Sequence, residues 1–63
     1  MYMKLKQERE KQAKTQKQIA FAAGIPLISY QAYEMGTRTP SVEAAKKIAK
    51  ALNSTVDNLF NNN

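Results

Sequence analysis

The chain contains no cysteine and no histidine among its 63 residues. It therefore lacks thiolates for disulfides, the usual zinc ligand sets and the commonest general base. The hydroxyl groups are expected at helix caps and in loops, and Glu8, Glu10, Glu43 and Asp57 on solvent-facing sides of helices. We therefore expect no catalytic residue, no metal and no cofactor, and predict that the protein is not an enzyme.

Long apolar runs are also missing. The longest, from Ile19 to Ala23, is far shorter than the roughly 20 residues that a membrane span requires. The first twelve residues, MYMKLKQEREKQ, are too polar for a signal peptide. We therefore expect a soluble, cytoplasmic protein, which the absence of cysteine also fits.

Positive charge is in excess, with a net charge of +5 and an isoelectric point near 9.8. Such a balance favours a polyanionic partner, nucleic acid first and an anionic membrane surface second. The same charge is equally common on a surface that is merely solvated. Because the basic residues are dispersed and form no strongly amphipathic basic helix, a membrane role is disfavoured.

Apolar residues recur at helical spacing and nowhere alternate over strand length, which predicts an all-α fold. We expect one domain over residues 1–60 and a disordered polar tail over residues 61–63. The first helix should run from Tyr2 to Ala13 with Leu5, Arg9 and Ala13 on one stripe. Arg9 is then either a surface residue or a buried donor that needs a carboxylate.

The second helix should begin after Thr15, which forms a T-x-x-Q capping box with Gln18. It should end near Ala23, because Gly24 can adopt a positive φ and Pro26 suits the start of another helix.

The third helix, over about Leu27–Met35, should turn Tyr30 and Tyr33 inward. Ser41 should cap a fourth helix and Thr55 a last turn, with Asn53 as the left-handed cap between them. The expected apolar positions of these two elements are Val42, Ala45, Ile48, Ala49, Leu52, Val56, Leu59 and Phe60.

Over about Leu5–Phe60 the chain resembles the helix-turn-helix domains of lambda-type phage repressors and Cro proteins. The resemblance is carried by Arg9, Thr15-Gln16, Ile19-Ala20, Gly24-Ile25, Tyr33-Glu34, Gly36, Arg38, Pro40-Ser41 and Leu59-Phe60. It implies a compact five-helix domain whose second and third helices form the motif, with the third as recognition helix in the major groove. It also implies sequence-specific binding of double-stranded DNA by a transcriptional regulator, most often a repressor, that binds a palindromic operator as a homodimer.

Matched position by position, the resemblance gives individual residues a role. Arg9 and Glu34 would form a structural ion pair. Base edges would be read by Leu27, Ile28, Gln31 and Ala32. Phosphates would be held by Gln16, Lys17, Thr37 and Arg38, with Lys6 and Lys14 as further candidates. The dimer interface would use Leu59 and Phe60. The other lysines, namely Lys4, Lys11, Lys46, Lys47 and Lys50, are interpreted as solvated charges.

The sequence departs from the family pattern where relatives often have polar residues, at Phe21, Leu27 and Ile28. Leu27 and Ile28 either meet thymine methyl groups or pack inward through a rotated helix, and Phe21 is either a lone exposed residue or a subunit contact. Glu8 and Lys14 replace the usual apolar residues of the first helix. An alternative function is a protein-interaction module on the same fold, and an antitoxin that regulates its own operon is a further one. No small-molecule ligand is evident.

Overall fold

A computed structural model describes residues 3–60 of the chain. Within this range the fold is all-α, as predicted, and contains five helices: α1 Met3–Lys11, α2 Gln16–Ala23, α3 Leu27–Met35, α4 Val42–Ala51 and α5 Val56–Phe60. The expected helix start at Tyr2 and the expected tail over residues 61–63 lie outside the described residues. None of these helices has the length and apolarity to cross a membrane.

Helix α1 ends two residues earlier than predicted. Ala13 adopts a left-handed conformation with φ of 57° and is exposed. The Ala13 amide donates to the Glu10 carbonyl and the Lys14 amide to the Arg9 carbonyl, which together form the hydrogen-bond pattern of a Schellman motif. The prediction that Ala13 extends the buried stripe of Leu5 and Arg9 is therefore wrong.

The boundaries of α2 are those that its capping residues predict. The Gln18 amide donates to Thr15 Oγ1 at 3.0 Å, and the Thr15 amide donates to Gln18 Oε1 at 2.8 Å. At the other end, Gly24 has φ of 69° and its amide donates to the Phe21 carbonyl. The helix is thus confined between two local signals that are visible in the sequence.

Helix α3 has the predicted bounds, with Pro26 at its N-cap and Gly36, at φ of 80°, after its last turn. Helix α4 begins after Ser41, whose Oγ accepts from the Ala44 amide at 3.1 Å. Val42, however, is 71% exposed, so its predicted place in the apolar stripe is wrong. It is the first residue of α4 and lies outside the buried face formed by Ala45, Ile48 and Ala49.

The closing elements follow the predicted caps. Asn53 has φ of 53°, and Thr55 Oγ1 accepts from the Asn58 amide at 3.1 Å at the start of α5. Helix α5 packs on α1 and α4, while α2 packs on α3 and α4. Six side chains fill the centre of the core, one from each helix together with Leu52 directly after α4: Leu5, Ile19, Tyr30, Ile48, Leu52 and Leu59.

Helix α1 is held at its end by a polar contact rather than by apolar packing. Glu8 is half-buried and accepts from Gln12 Nε2 at 2.9 Å, and the same Nε2 donates to the Leu52 carbonyl at 2.7 Å. Lys14 is exposed. Helix α1 packs on α3 and α5, and α2 packs on α3 from another side, so that one side of α3 remains open to solvent.

Candidate nucleic-acid interface

The open side of α3 carries the four residues to which the sequence assigns base reading. Ile28 is 76% exposed and Leu27 is 37% exposed. Gln31 and Ala32 are half-buried. Because Ile28 projects into solvent, the alternative in which this helix is rotated and Ile28 packs inward is wrong.

Beneath this face lies a buried ion pair. Arg9 Nε donates to Glu34 Oε2 at 2.6 Å, and Arg9 Nη2 donates to Glu34 Oε1 at 3.2 Å. Arg9 Nη1 donates to the Lys14 carbonyl at 2.7 Å. The pair joins α1 to the last turn of α3, and Arg9 also holds the chain that leads into α2.

Each member of this pair stabilises the charged form of the other. Burial acts to raise the pKa of Glu34, but the neighbouring donors, Arg9 first and then Tyr30 and Gln16, outweigh burial and bring the pKa below its ordinary value. The hydrogen bond to Glu34 raises the pKa of Arg9 against the opposing effect of burial. Glu34 is therefore ionised at neutral pH and acts only as a hydrogen-bond acceptor.

A chain of hydrogen bonds connects this buried carboxylate to the exposed face of α3. Gln16, the first residue of α2, donates from Nε2 to Glu34 Oε1 at 3.0 Å. Gln31 Nε2 in turn donates to Gln16 Oε1 at 3.2 Å. The sequence predicts separate roles for Gln16 and Gln31, and their residue types and spacing give no signal of this contact.

The loop after α3 folds back onto the helix. The amides of Thr37 and Arg38 both donate to the Ala32 carbonyl, at 3.0 and 3.4 Å, and Thr37 Oγ1 lies 3.4 Å from the same oxygen. Arg38 Nη1 lies 3.4 Å from Ser29 Oγ on α3. Gly36 permits this reversal through its positive φ. The guanidinium of Arg38 is thus placed beside the exposed face of α3, with Ser29 as a partner that the sequence analysis does not single out.

The other predicted phosphate ligand, Lys17, is exposed in the first turn of α2, next to Gln16. This turn contains no acidic residue, and its helix dipole favours an anion. Lys17 and Arg38 therefore supply positive charge from α2 and from the loop after α3.

Comparison with known proteins identifies the family of the chain. A model of the helix-turn-helix family matches residues 5–59. The chain is 43% identical over 56 residues to the cryptic phage CTXphi transcriptional repressor RstR of Vibrio cholerae serotype O1. That match covers 89% of this chain but 50% of the relative, so the chain spans about half the length of this curated relative. No solved structure matches the chain.

Proposed function

This chain belongs to the helix-turn-helix family, and we propose that it binds double-stranded DNA as a sequence-specific transcriptional regulator that acts as a repressor. The observation that carries the proposal is the solvent-facing side of α3, which leaves Leu27 and Ile28 exposed on a helix otherwise fixed by the core. The similarity to a protein named as a transcriptional repressor supports the same function.

Phosphate contacts are assigned to residues at the two ends of the motif. Gln16 uses one Nε2 hydrogen on Glu34 and has a second one for a phosphate oxygen. Lys17 adds charge beside it, and Thr37 and Arg38 contact the phosphates on the other side of α3. These contacts fix the register of the protein on the duplex and carry no sequence information themselves.

Base reading is assigned to the exposed residues of α3. Gln31 is the one residue of the four whose side chain forms hydrogen bonds, and an amide pairs best with adenine N6 and N7. Leu27, Ile28 and Ala32 offer apolar surface that suits thymine methyl groups. We therefore expect a half-site with A·T pairs at the contacted positions.

A single α3 reads few base pairs, which supports binding of two chains to a palindromic operator with half-sites about one helical turn apart. The dimer contact predicted through Leu59 is wrong, because Leu59 is only 2% exposed and belongs to the core of one chain. Phe60 is half-buried and packs against that core.

Selection of bound duplexes from a random library tests this proposal. We expect an inverted repeat with A·T pairs at the contacted positions of each half-site. A half-site with G·C at those positions would refute the apolar readout, and a single unrepeated site would refute the dimer.

The salt dependence of binding separates DNA recognition from the alternative of a protein-interaction module, which the 88% exposure of Phe21 favours. If Lys17 and Arg38 of both chains each neutralise one phosphate, the slope of log K against log salt is about −3.6. Lys17→Ala should bring the slope to about −1.8, because two contacts per dimer are lost. Lys46→Ala, an exposed lysine on α4, is the matched control and should leave the slope unchanged. Binding to a protein partner without a shift of any duplex would favour the module instead.

A further inference from the structure

We infer that the buried carboxylate of Glu34, acting through Gln16, determines which end of the Gln31 amide faces the DNA, and that this restricts Gln31 to reading adenine rather than guanine. Gln16 and Glu34 are then positioning residues for base recognition. The inference rests on the proposed function and assigns the origin of its specificity at one base pair.

The first step is the polarity of the Gln16 amide. Glu34 Oε1 receives Arg9 Nη2 and Gln16 Nε2, at 3.2 and 3.0 Å. An ionised carboxylate is acceptor-only, so the nitrogen of the Gln16 amide must face it, since the amide oxygen in that place would be repelled. Because Glu34 is held ionised by Arg9, this polarity is fixed from the interior of the protein.

The second step is the effect of the Gln16 orientation on Gln31, which lies at the surface. With its nitrogen toward Glu34, Gln16 directs its oxygen toward Gln31 and accepts from Gln31 Nε2 at 3.2 Å. One Nε2 hydrogen of Gln31 is thereby used. Gln31 is left with one free N–H and its Oε1, that is, with one donor and one acceptor.

The third step is the match with the base edge. In the major groove adenine presents the N7 acceptor and the N6 donor, whereas guanine presents the N7 and O6 acceptors. A single free N–H together with Oε1 pairs with adenine, but Gln31 cannot supply the two donors that guanine requires. If Gln16 is removed, both Nε2 hydrogens become available and the discrimination between the two bases should fall.

A double-mutant cycle tests this inference with duplexes that carry A·T or G·C at the selected position. We expect the wild type to favour A·T by about tenfold or more, the scale of one good bidentate contact. Gln16→Ala should reduce this preference to about threefold or less, and Gln31→Ala should abolish it. In the Gln31→Ala background, Gln16→Ala should cause no further change in preference.

The controls separate positioning from phosphate contact. A residue that contacts only a phosphate weakens binding to all sequences equally. An unchanged A·T preference in Gln16→Ala would therefore overturn the inference while leaving the proposed function intact. Gln7→Ala removes an exposed glutamine on α1 and should leave both affinity and preference unchanged. Failure of the wild type to bind any duplex would overturn the proposed function and the inference together.

A measurement on the free protein does not depend on DNA. In spectra of the side-chain amides, one Nε2 proton of Gln31 should move upfield in Gln16→Ala, because the hydrogen bond to Gln16 Oε1 deshields that proton in the wild type. Thermal melts should show that Gln16→Ala remains folded. Gln31 resonances that do not respond to Gln16→Ala would overturn the inference whatever the DNA measurements give.

Discussion

At the scale of single residues, the side chain of Glu34 connects helices through its hydrogen bonds. Its carboxylate pairs with Arg9 from α1 and accepts from Gln16 of α2, while its own backbone belongs to α3. One buried charge thus joins three helices. Removing one partner of such a pair leaves an uncompensated charge, which costs far more than the loss of a surface ion pair.

Glu34→Ala should accordingly lower the free energy of unfolding by about 3 to 5 kcal/mol, since the guanidinium of Arg9 would remain buried without a counter-charge. Glu10→Ala, in the same chain but at an exposed position, should change it by less than about 0.5 kcal/mol. Thermal and urea unfolding of both variants measure the difference. Equal melting temperatures would show that the pair contributes no net stability.

The pH dependence of stability follows from the same carboxylate. The pKa of Glu34 lies below its unfolded value of about 4.5, so its contribution is present above pH 4.5 and is lost as the pH falls through the folded pKa. Unfolding measured across acid pH should show this loss. Glu34→Gln should be less stable at pH 7 and should lose less stability in acid than the wild type does. If Glu34→Gln instead lost more stability than the wild type as the pH falls, another group would control acid unfolding.

Tyr30 presents a different situation one helical turn before Glu34. Its hydroxyl is buried and makes no hydrogen bond of full geometry among residues 3–60, and burial, aided by the nearby Glu34 carboxylate, raises its pKa. Tyr30→Phe should therefore change the free energy of unfolding by no more than about 1 kcal/mol, because no well-formed hydrogen bond is lost. Tyr30→Ala, which leaves a cavity, should cost about 3 kcal/mol or more. Calorimetry that shows Tyr30→Phe to be clearly destabilising would mean that the hydroxyl has a partner such as Glu34.

At the scale of elements, four helices end at a residue with the left-handed backbone conformation. The residues after α1, α2, α3 and α4 that take a positive φ are Ala13, Gly24, Gly36 and Asn53. Glycine and asparagine signal these positions in the sequence, which is why the ends of α2, α3 and α4 are predictable. Alanine gives no such signal, so the helix predicted from the sequence continues to Ala13, two residues beyond the end of α1.

A reciprocal pair of substitutions tests this account. Ala13→Gly should stabilise the protein by about 0.5 to 1 kcal/mol, because glycine adopts φ of 57° without steric strain. Gly24→Ala should destabilise it by about 1 kcal/mol, and the cost is purely conformational because an added Cβ would meet no atom within 4 Å. Denaturant titrations would measure both values, provided that the slope of unfolding free energy against denaturant concentration is the same in variant and wild type. A stabilising Gly24→Ala would contradict the left-handed conformation at that position.

At the scale of the whole molecule, one side of α3 stays exposed, while α5 packs on α1 and α4 and completes the core. Leu59 is 2% exposed and lies among the buried residues of the core, and α5, to which it belongs, packs on α1 and α4. Its burial within one chain is complete without a second subunit. The proposed assembly of two chains on DNA would therefore have to use other surface.

Leu59→Ala should lower stability by about 2 to 5 kcal/mol, as expected for truncation of a buried leucine. The loss should be the same at every protein concentration, because the contact is made within one chain. Melting curves over a wide range of concentrations test this expectation, with Val42→Ala, at an exposed apolar position, as a nearly neutral control. A loss that grew on dilution would place Leu59 in a subunit interface after all.

The sequence by itself determines the helices and their order, because capping residues such as Thr15 and Ser41 and positive-φ residues such as Gly24 act within a few bonds of the chain. It also indicates that Ile28 is exposed, since helical spacing sets Ile28 opposite Tyr30 and Tyr33.

Only the tertiary structure decides what surrounds these residues. The exposure of Val42 and the hydrogen bonds that join Gln31, Gln16 and Glu34 depend on how helices distant in sequence pack together. The spacing of apolar residues within one helix contains no information about which side chains of other helices lie beside it. Leu59 illustrates the same limit, because an apolar residue in the last helix suits a core or an interface equally well until the packing of α5 on α1 is known.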